Sequence, residues 1–312
     1  MRISLFFIFI LLIGCTSHNL QNVENSKTEK PIISFTFDDG SIRDMPGYTL
    51  KEWNEQILTT LDKHKIKAVL FPAGSFLKGE KGEYILSSWN DDGHKIGNHT
   101  YNHPYYHSDK ISLNDFKQEL IKNDSIVKKY SNFIPLFRFP YLKEGNTIEK
   151  RDGFREFLSA QNYKMGYVTV DASDWYVNSK LLKTLKQDST ADVSGYKDFY
   201  VQHLLDRANY YDSLATKLTD RKVKHNLLLH HNLTSALFLD TLITSFKKNG
   251  WEVISAHEAF EDSIYNRLPN NLPAGESLIW ALAKESGKYE KELRYPAEDS
   301  RYEKAKMEEL GL

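Results

Sequence analysis

Cysteine is almost absent from this sequence: Cys15 is the only one. A lone thiol excludes an intramolecular disulfide. Net charge is nearly absent too, formally −1. No run interleaves Lys and Arg with aromatics, so nothing calls for a nucleic-acid partner. No internal repeats occur. The one long apolar run, Leu5 to Ile13, is too short to span a bilayer as a stable helix. What the chain does have is length and apolar content for one sizeable core, or a core with appendages, and a second full domain is not required. Its five Trp and eighteen Tyr suit stacking on sugar rings and equally suit a large core, which accounts for most of them.

Arg2 followed by Leu5 to Ile13 reads as the basic and apolar regions of an export signal, residues 1–14. The run ends Leu12-Ile13-Gly14-Cys15, which resembles the lipobox of bacterial lipoproteins. Lipid attachment would give the lone thiol a purpose; the alternative is ordinary cleavage nearby with a stray cysteine. Two or more acyl chains would anchor the protein stably. The predicted location is therefore the cell envelope, exported and held to a membrane through Cys15. Residues 15–30 are then the lipidated cysteine and a solvated tether rich in Asn, Ser, Lys and Glu.

From residue 31 onward, short apolar runs alternate with longer helical patterns. Candidate strands are Ile32 to Phe37, Ala68 to Phe71, His94 to Gly97, Leu136 to Phe139, Met165 to Val170, Asn226 to His230 and Trp251 to Ser255. Helical patterns between them include Leu50 to Lys63, Leu113 to Tyr130, Gly153 to Gln161 and Ala236 to Lys248. Strands alternating with helices imply parallel β/α units. The main domain is predicted over 31–260. Residues 176–225 form an insertion with helical patterns at Ser179 to Lys186 and Tyr196 to Leu218; it either shapes a substrate groove or is a packing arm. Residues 261–312 read as a charged, Tyr-rich C-terminal extension with a helix at Glu276 to Lys284.

The polar residues sort onto one rim of this map. Asp38 and Asp39 follow the first strand, His99 and His103 the third, Arg138 the fourth, Asp171 and Asp174 the fifth, and His230 ends the sixth. In β/α barrels, reactive residues converge at the strands' C-terminal ends. Adjacent carboxylates at a strand end point different ways, so one can bind a metal while the other stays free as a base. His99 and His103 share a face if their segment is helical and converge across a tight turn if it is not. Two imidazoles and a carboxylate, with positions left for water, suit zinc or another divalent transition ion acting as Lewis acid; cobalt, nickel, manganese and ferrous iron are alternatives. A second Asp-Asp-Gly, Asp91 to Gly93, follows a helical pattern and precedes a strand, which places it in a turn at the opposite end.

Five ordered motifs together resemble the polysaccharide deacetylases of carbohydrate esterase family 4, which share the NodB homology domain. They are Thr36-Phe37-Asp38-Asp39-Gly40, His99-Thr100-Tyr101-Asn102-His103, Arg138-Phe139-Pro140-Tyr141, Asp171-Ala172-Ser173-Asp174-Trp175 and Leu228-Leu229-His230. The resemblance spans about Pro31 to Phe260. It implies a distorted (β/α)7 barrel and metal-dependent removal of acetyl groups from a glycan. It places the metal on Asp39, His99 and His103, the catalytic base on Asp38 and the general acid on His230. The backbone N–H of Tyr141 would hold the oxyanion, and Trp175 and Leu228 would form the acetyl pocket. Arg138 would orient Asp38, with Asp174 fixing Arg138 in turn. Asp171 either lines the site or caps the turn.

The fifth motif departs from the family by reading His230-His231-Asn232 where His-Asp is common. His230 is assigned as the acid because it keeps the strand phase of Leu228. The third has Phe139 where Pro is frequent. The predicted activity is N-deacetylation of a cell-envelope or extracellular glycan, peptidoglycan or chitin-like. The alternatives are an O-acetyl esterase acting on xylan or another acetylated polysaccharide, and a non-catalytic glycan-binding lipoprotein.

Overall fold

The computed structural model describes residues 29–293 and 299–312. The expected signal peptide, Cys15 and all but the last two residues of the tether lie outside the described residues. No helix among the described residues is long and apolar enough to cross a membrane.

Strand β1 (Ile32–Asp39) sets the architecture because its two faces differ. Phe35 and Phe37 face the outer helices, meeting Phe246 at 5.9 Å and Trp89 at 5.3 Å. Ser34, Thr36 and Asp38, two residues apart, share the opposite face and are buried inside the curled sheet. Their polar atoms are satisfied there: the Ser34 hydroxyl donates to the His225 carbonyl at 3.0 Å, and that of Thr36 to the Leu227 carbonyl at 3.3 Å.

Around β1 stand β2 (Val69–Pro72), β3 (Lys95–Asn98), β4 (Phe133–Phe137), β6 (Lys164–Met165) and β7 (Lys224–His230) in the order β6-β4-β3-β2-β1-β7. Every pairing on this path is parallel. β8 (Glu252–Val253) pairs with β1 at Ile32 and Ile33. Residues 164–170 close the curl, because β6 pairs with Leu136 and Phe137 while Val170 bridges Leu227 on β7. The strand expected over Met165 to Val170 therefore pairs at its two ends and crosses the barrel between them. Gly166 permits the crossing: a Cβ there would lie 2.9 Å from both the Phe137 carbonyl oxygen and the Phe71 ring. The result is the distorted β/α barrel that the family resemblance implies, built from the parallel units that the alternation of strands and helices predicts.

The outer layer includes α1 (Leu50–Lys63), α2 (Gly79–Asp91), α3 (Leu113–Val127), α4 (Ile148–Ala160) and α7 (Leu233–Lys248). α1 starts at a capping box between Thr49 and Glu52, α3 at one between Ser112 and Asp115. Trp53, Ile57 and Leu61, four apart, turn one stripe of α1 into the core. The expected insertion is α5 (Asp174–Gln187) and α6 (Ser194–Thr219), and it belongs to the same core: Tyr200, Leu204, Ala208 and Ala215 of α6 are fully buried.

The C-terminal residues fold back onto the domain. After the one-turn α8 (Ala256–Ala259), β9 (Ala274–Gly275) pairs antiparallel with β5 (Lys143–Gly145). The helix expected at Glu276 to Lys284 is α9 (Leu278–Ser286), and α10 (Arg301–Glu309) buries Glu303 and Met307.

Candidate active site

β1 and β7 run in register, pairing Asp38 with His230. Two strand ends therefore bring one carboxylate and one imidazole to the same rim, although 192 positions separate them in the sequence. The loop after β3 adds the other two histidines. It is not helical: Thr100 and His103 both have left-handed backbone, φ 67° and 55°. Asn98 holds the turn by accepting the Thr100 N–H at 2.9 Å, and the Thr100 hydroxyl accepts that of His103 at 3.1 Å. His99 and His103 thus converge across a tight turn, their rings 4.9 Å apart.

Asp39 is the meeting point. Its Oδ1 lies 3.2 Å from His103 Nε2 and 3.5 Å from His99 Nε2, and its Oδ2 lies 4.0 Å from His230 Nε2. His99 Nδ1 faces the Arg138 carbonyl at 2.8 Å, which can only accept, so Nδ1 carries the proton and Nε2 turns a lone pair toward Asp39. Asp39 Oδ1 is buried and receives no hydrogen bond from the described residues. A carboxylate oxygen facing an imidazole lone pair is repulsive unless a cation lies between them, and the ligand atoms of Asp39, His99 and His103 all fall within 4.8 Å of one another. This donor set fits a divalent transition ion with positions left open.

Electrostatics support that fit. Burial pushes the His103 imidazole down to about 4, so it is neutral and free to ligate. Burial opposes ionisation of Asp39, yet its surroundings, the cationic His230 among them, outweigh it and hold the carboxyl far below its usual range. Backbone strain gathers at the same place. Asp39, Tyr141, Leu142 and Ser173 also have positive φ, between 46° and 75°.

Asp38 is buried beside this centre, its Oδ2 3.8 Å from His99 Nε2. Arg138 donates to Asp38 Oδ1 at 2.8 Å and to Thr36 Oγ1 at 3.1 Å, and its Nε donates to the Gly166 carbonyl at 2.5 Å. Its guanidinium lies 4.2 Å from the Phe71 ring centre. The expectation that Asp174 fixes Arg138 is corrected here. Asp174, in the first turn of α5, instead accepts the His230 backbone N–H at 2.9 Å and faces His230 Nδ1 at 2.6 Å. The αL residue Ser173 starts α5 at the mouth of β7, which directs the first helical carboxylate to that strand rather than across the barrel to β4. Burial lowers the pKa of His230, but Asp174 overrides it and raises it to about 10. His230 is therefore an imidazolium at neutral pH.

His231, one residue on, faces outward into the core. Its Nε2 donates to Asn54 at 2.9 Å, its ring packs 4.4 Å from Trp53, and burial pushes its pKa down to about 3. The strand phase that selects His230 is thus the observed one.

These groups line one cavity of about 390 Å³. Tyr141, Trp175 and Leu228 lie in its wall as expected, and Leu228 packs with Leu142 and Val168. Asp171 also lines it; burial raises its pKa, and its Oδ2 has no hydrogen-bond partner among the described residues. Phe76 and Leu142 were not anticipated. Phe76 stands 5.7 Å from the His103 ring on a short turn that carries no motif of its own, and Leu142 was readable only as the apolar neighbour of Tyr141.

Known proteins resemble this chain in sequence and in fold. Residues 25–156 match the model of the polysaccharide deacetylase family. Trp175, Leu228 and His230 lie beyond the matched residues and join the site only through the fold. Over 147 residues the chain is 31% identical to a peptidoglycan-N-acetylglucosamine deacetylase of Bacillus cereus, covering 47% of either protein, so the match spans about half of that relative's length. Over 204 residues it is 28% identical to the peptidoglycan-N-acetylmuramic acid deacetylase PdaA of Bacillus subtilis, covering 62% of this chain and 68% of that one. Among solved structures, a peptidoglycan N-acetylglucosamine deacetylase superposes with a TM-score of 0.52 at 22% identity, covering 75% of this chain and 90% of that one. A carbohydrate esterase family 4 pseudoenzyme of Bacillus anthracis superposes with a TM-score of 0.51 at 19% identity, covering 74% and 65%. The fold is shared by both, so chemistry has to be argued from side chains.

Proposed function

We propose that this chain is a divalent-metal-dependent hydrolase that removes N-acetyl groups from a bacterial cell-envelope glycan, peptidoglycan first. The observation that carries the reading is the convergence of Asp39, His99 and His103 in one cavity that a buried carboxylate and a protonated imidazole also line. Zinc suits two imidazoles and a carboxylate best, and cobalt, nickel, manganese or ferrous iron could take the same donors. The names of the Bacillus relatives support peptidoglycan as the substrate.

A bound cation supplies Lewis acidity, polarising the acetyl carbonyl and making nearby water more acidic. The rest falls to the protein. Asp38 accepts a proton from the attacking water, and Arg138 fixes which carboxylate oxygen remains free to do so. The Tyr141 N–H donates to the developing oxyanion. An amine leaves only when protonated, and His230, on the strand next to that of Asp38, donates that proton from Nε2 while Asp174 holds its Nδ1–H. Trp175 and Leu228 shelter the acetyl methyl. An imidazolium held this firmly favours an amide substrate over an O-acetyl ester, whose alcohol leaves more easily. A purely glycan-binding role is disfavoured because neither the base nor a metal ligand is missing.

Export and a lipid on Cys15 complete the proposal, with residues 31–260 as the catalytic domain. Metal analysis of the purified protein, combined with acetate release from peptidoglycan, chito-oligosaccharides and acetylated xylan, tests it. Metal at about one per chain and release from an N-acetylated glycan are expected. Release from xylan alone would establish the esterase instead.

A further inference from the structure

The catalytic cavity has a neighbour. A second groove of about 560 Å³ opens beside it and shares Asp39, Phe76, Trp175 and His230 with it. Its outer walls are the loop Ser41–Pro46 and the face of α5 that carries Asn178, Leu182 and Lys186. The two walls abut at their ends: a Cβ on Gly47 would lie 3.8 Å from the Ser189 carbonyl.

The charges along this groove are unbalanced. Beyond the catalytic groups, its charged residues are Arg43, Asp44 and Lys186. Asp44 is already engaged, accepting the Leu50 N–H at 2.8 Å and lying 3.9 Å from Lys81 Nζ. Arg43 and Lys186 are exposed, and among the described residues neither pairs with a carboxylate. Trp175, 37% exposed, stands between the two cavities with a face available for stacking on a sugar ring.

We propose that this second groove binds a carboxylate of the glycan strand, through Arg43 and Lys186, next to the residue whose acetyl group enters the catalytic cavity. The proposal rests on the deacetylase reading and narrows its substrate class from acetylated glycans in general to those bearing acid groups. In peptidoglycan that acid is either the lactyl ether carboxylate of the muramic sugar or a carboxylate of the stem peptide; chitin has neither. A guanidinium donates two parallel hydrogen bonds to a carboxylate, and an ammonium nearby adds a point charge. Exposed contacts of this kind are individually weak, so two together are expected to give about tenfold discrimination.

The test uses the full, metal-loaded chain with Arg43→Glu and Lys186→Glu combined. Substrates are glycan strands freed of stem peptides, intact strands, and neutral chito-oligosaccharides of equal length. The ratio of kcat/KM on strands to kcat/KM on chito-oligosaccharides is expected to fall about tenfold, through KM, and raising the salt should lower the same ratio for the unmodified chain. An effect on peptide-free strands assigns the lactyl carboxylate, and one confined to intact strands assigns the peptide; both uphold the groove. An unchanged ratio, or equal losses on all substrates, overturns it. Binding of the same strands to Asp38→Asn is measured by calorimetry with and without the charge reversals. Weaker binding on reversal upholds the groove even if no acetate is released, an outcome that would sink the deacetylase reading alone. Unchanged binding, or none before reversal, overturns the groove.

Discussion

The chain carries Asp-Asp-Gly twice, and the two copies behave as different chemical objects. Asp38-Asp39-Gly40 ends a central parallel strand; Asp91-Asp92-Gly93 ends helix α2. The glycines do the same work, with φ of 93° and 82°. The carboxylates do not. Asp91 and Asp92 are exposed, and the Asp92 carbonyl accepts Lys67 Nζ at 2.7 Å in an ordinary solvated turn. Asp38 is buried on an arginine, and Asp39 is surrounded by three imidazoles. The triplet supplies a turn in both places, and only the strand's C-terminal end, where four other loops arrive, makes it a site.

The sharpest way to break this comparison is to neutralise each copy. Asp38→Asn keeps the shape and removes the base, and acetate release should fall by about 10³-fold while the metal content of the purified protein is unchanged. Asp91→Asn with Asp92→Asn should leave release within about twofold, as expected for exposed substitutions. Undiminished release from Asp38→Asn would refute the mechanism. His99→Ala and His103→Ala act one step earlier: each should lower bound metal well below that of the unmodified chain, with activity falling in parallel. Full metal occupancy in both variants would mean that the cation is held elsewhere.

Much of this site was legible before any coordinates, because strand ends can be read from short apolar runs and the rim of a β/α barrel follows from them. The phase of Leu228 and His230 needed only the two-residue period of a strand. The turn between His99 and His103 was open because spacing alone does not separate a helix from a loop, and the left-handed residues that decide it are Thr100 and His103, which sequence does not mark as such. The partner of Asp174 was misread for a similar reason: its direction depends on how Ser173 launches α5, and its contact with His230 lies 56 residues away. The β5–β9 ribbon and α10 escaped notice because they are short or charged and owe their order to tertiary packing.

The Asp174–His230 contact makes a pH prediction with a definite sign. Asp174 raises His230 from an ordinary 6.5 to about 10, so the donor proton is held through neutral pH and lost as pH rises through the folded value. The pair's contribution to stability is likewise complete below 6.5 and lost as pH rises toward 10. A cation at Asp39 pulls the folded value down, which places the alkaline limb of kcat/KM below 10. Asp174→Asn should move that limb to lower pH by about one unit or more and cost about 10- to 100-fold at mildly alkaline pH, with metal content intact. An unmoved limb would assign it to another group.

His231 provides a small effect on activity and the cleanest contrast with its neighbour. Its ring fills a slot against Trp53, satisfies Asn54 and accepts the Ser41 N–H at 3.3 Å. Truncation leaves a cavity and an unpaired Ser41 N–H, Asn54 Oδ1 keeping its bond from Trp89 Nε1 at 3.0 Å, and since Ser41 follows the catalytic strand by two residues, some loosening of the Asp38-Asp39 turn should follow. His231→Ala should therefore lower unfolding stability by about 2–4 kcal/mol in denaturant titrations while kcat changes only a few-fold. The opposite pattern, lost turnover at full stability, would mean that the outward-facing histidine is the acid and that strand phase had pointed to the wrong one.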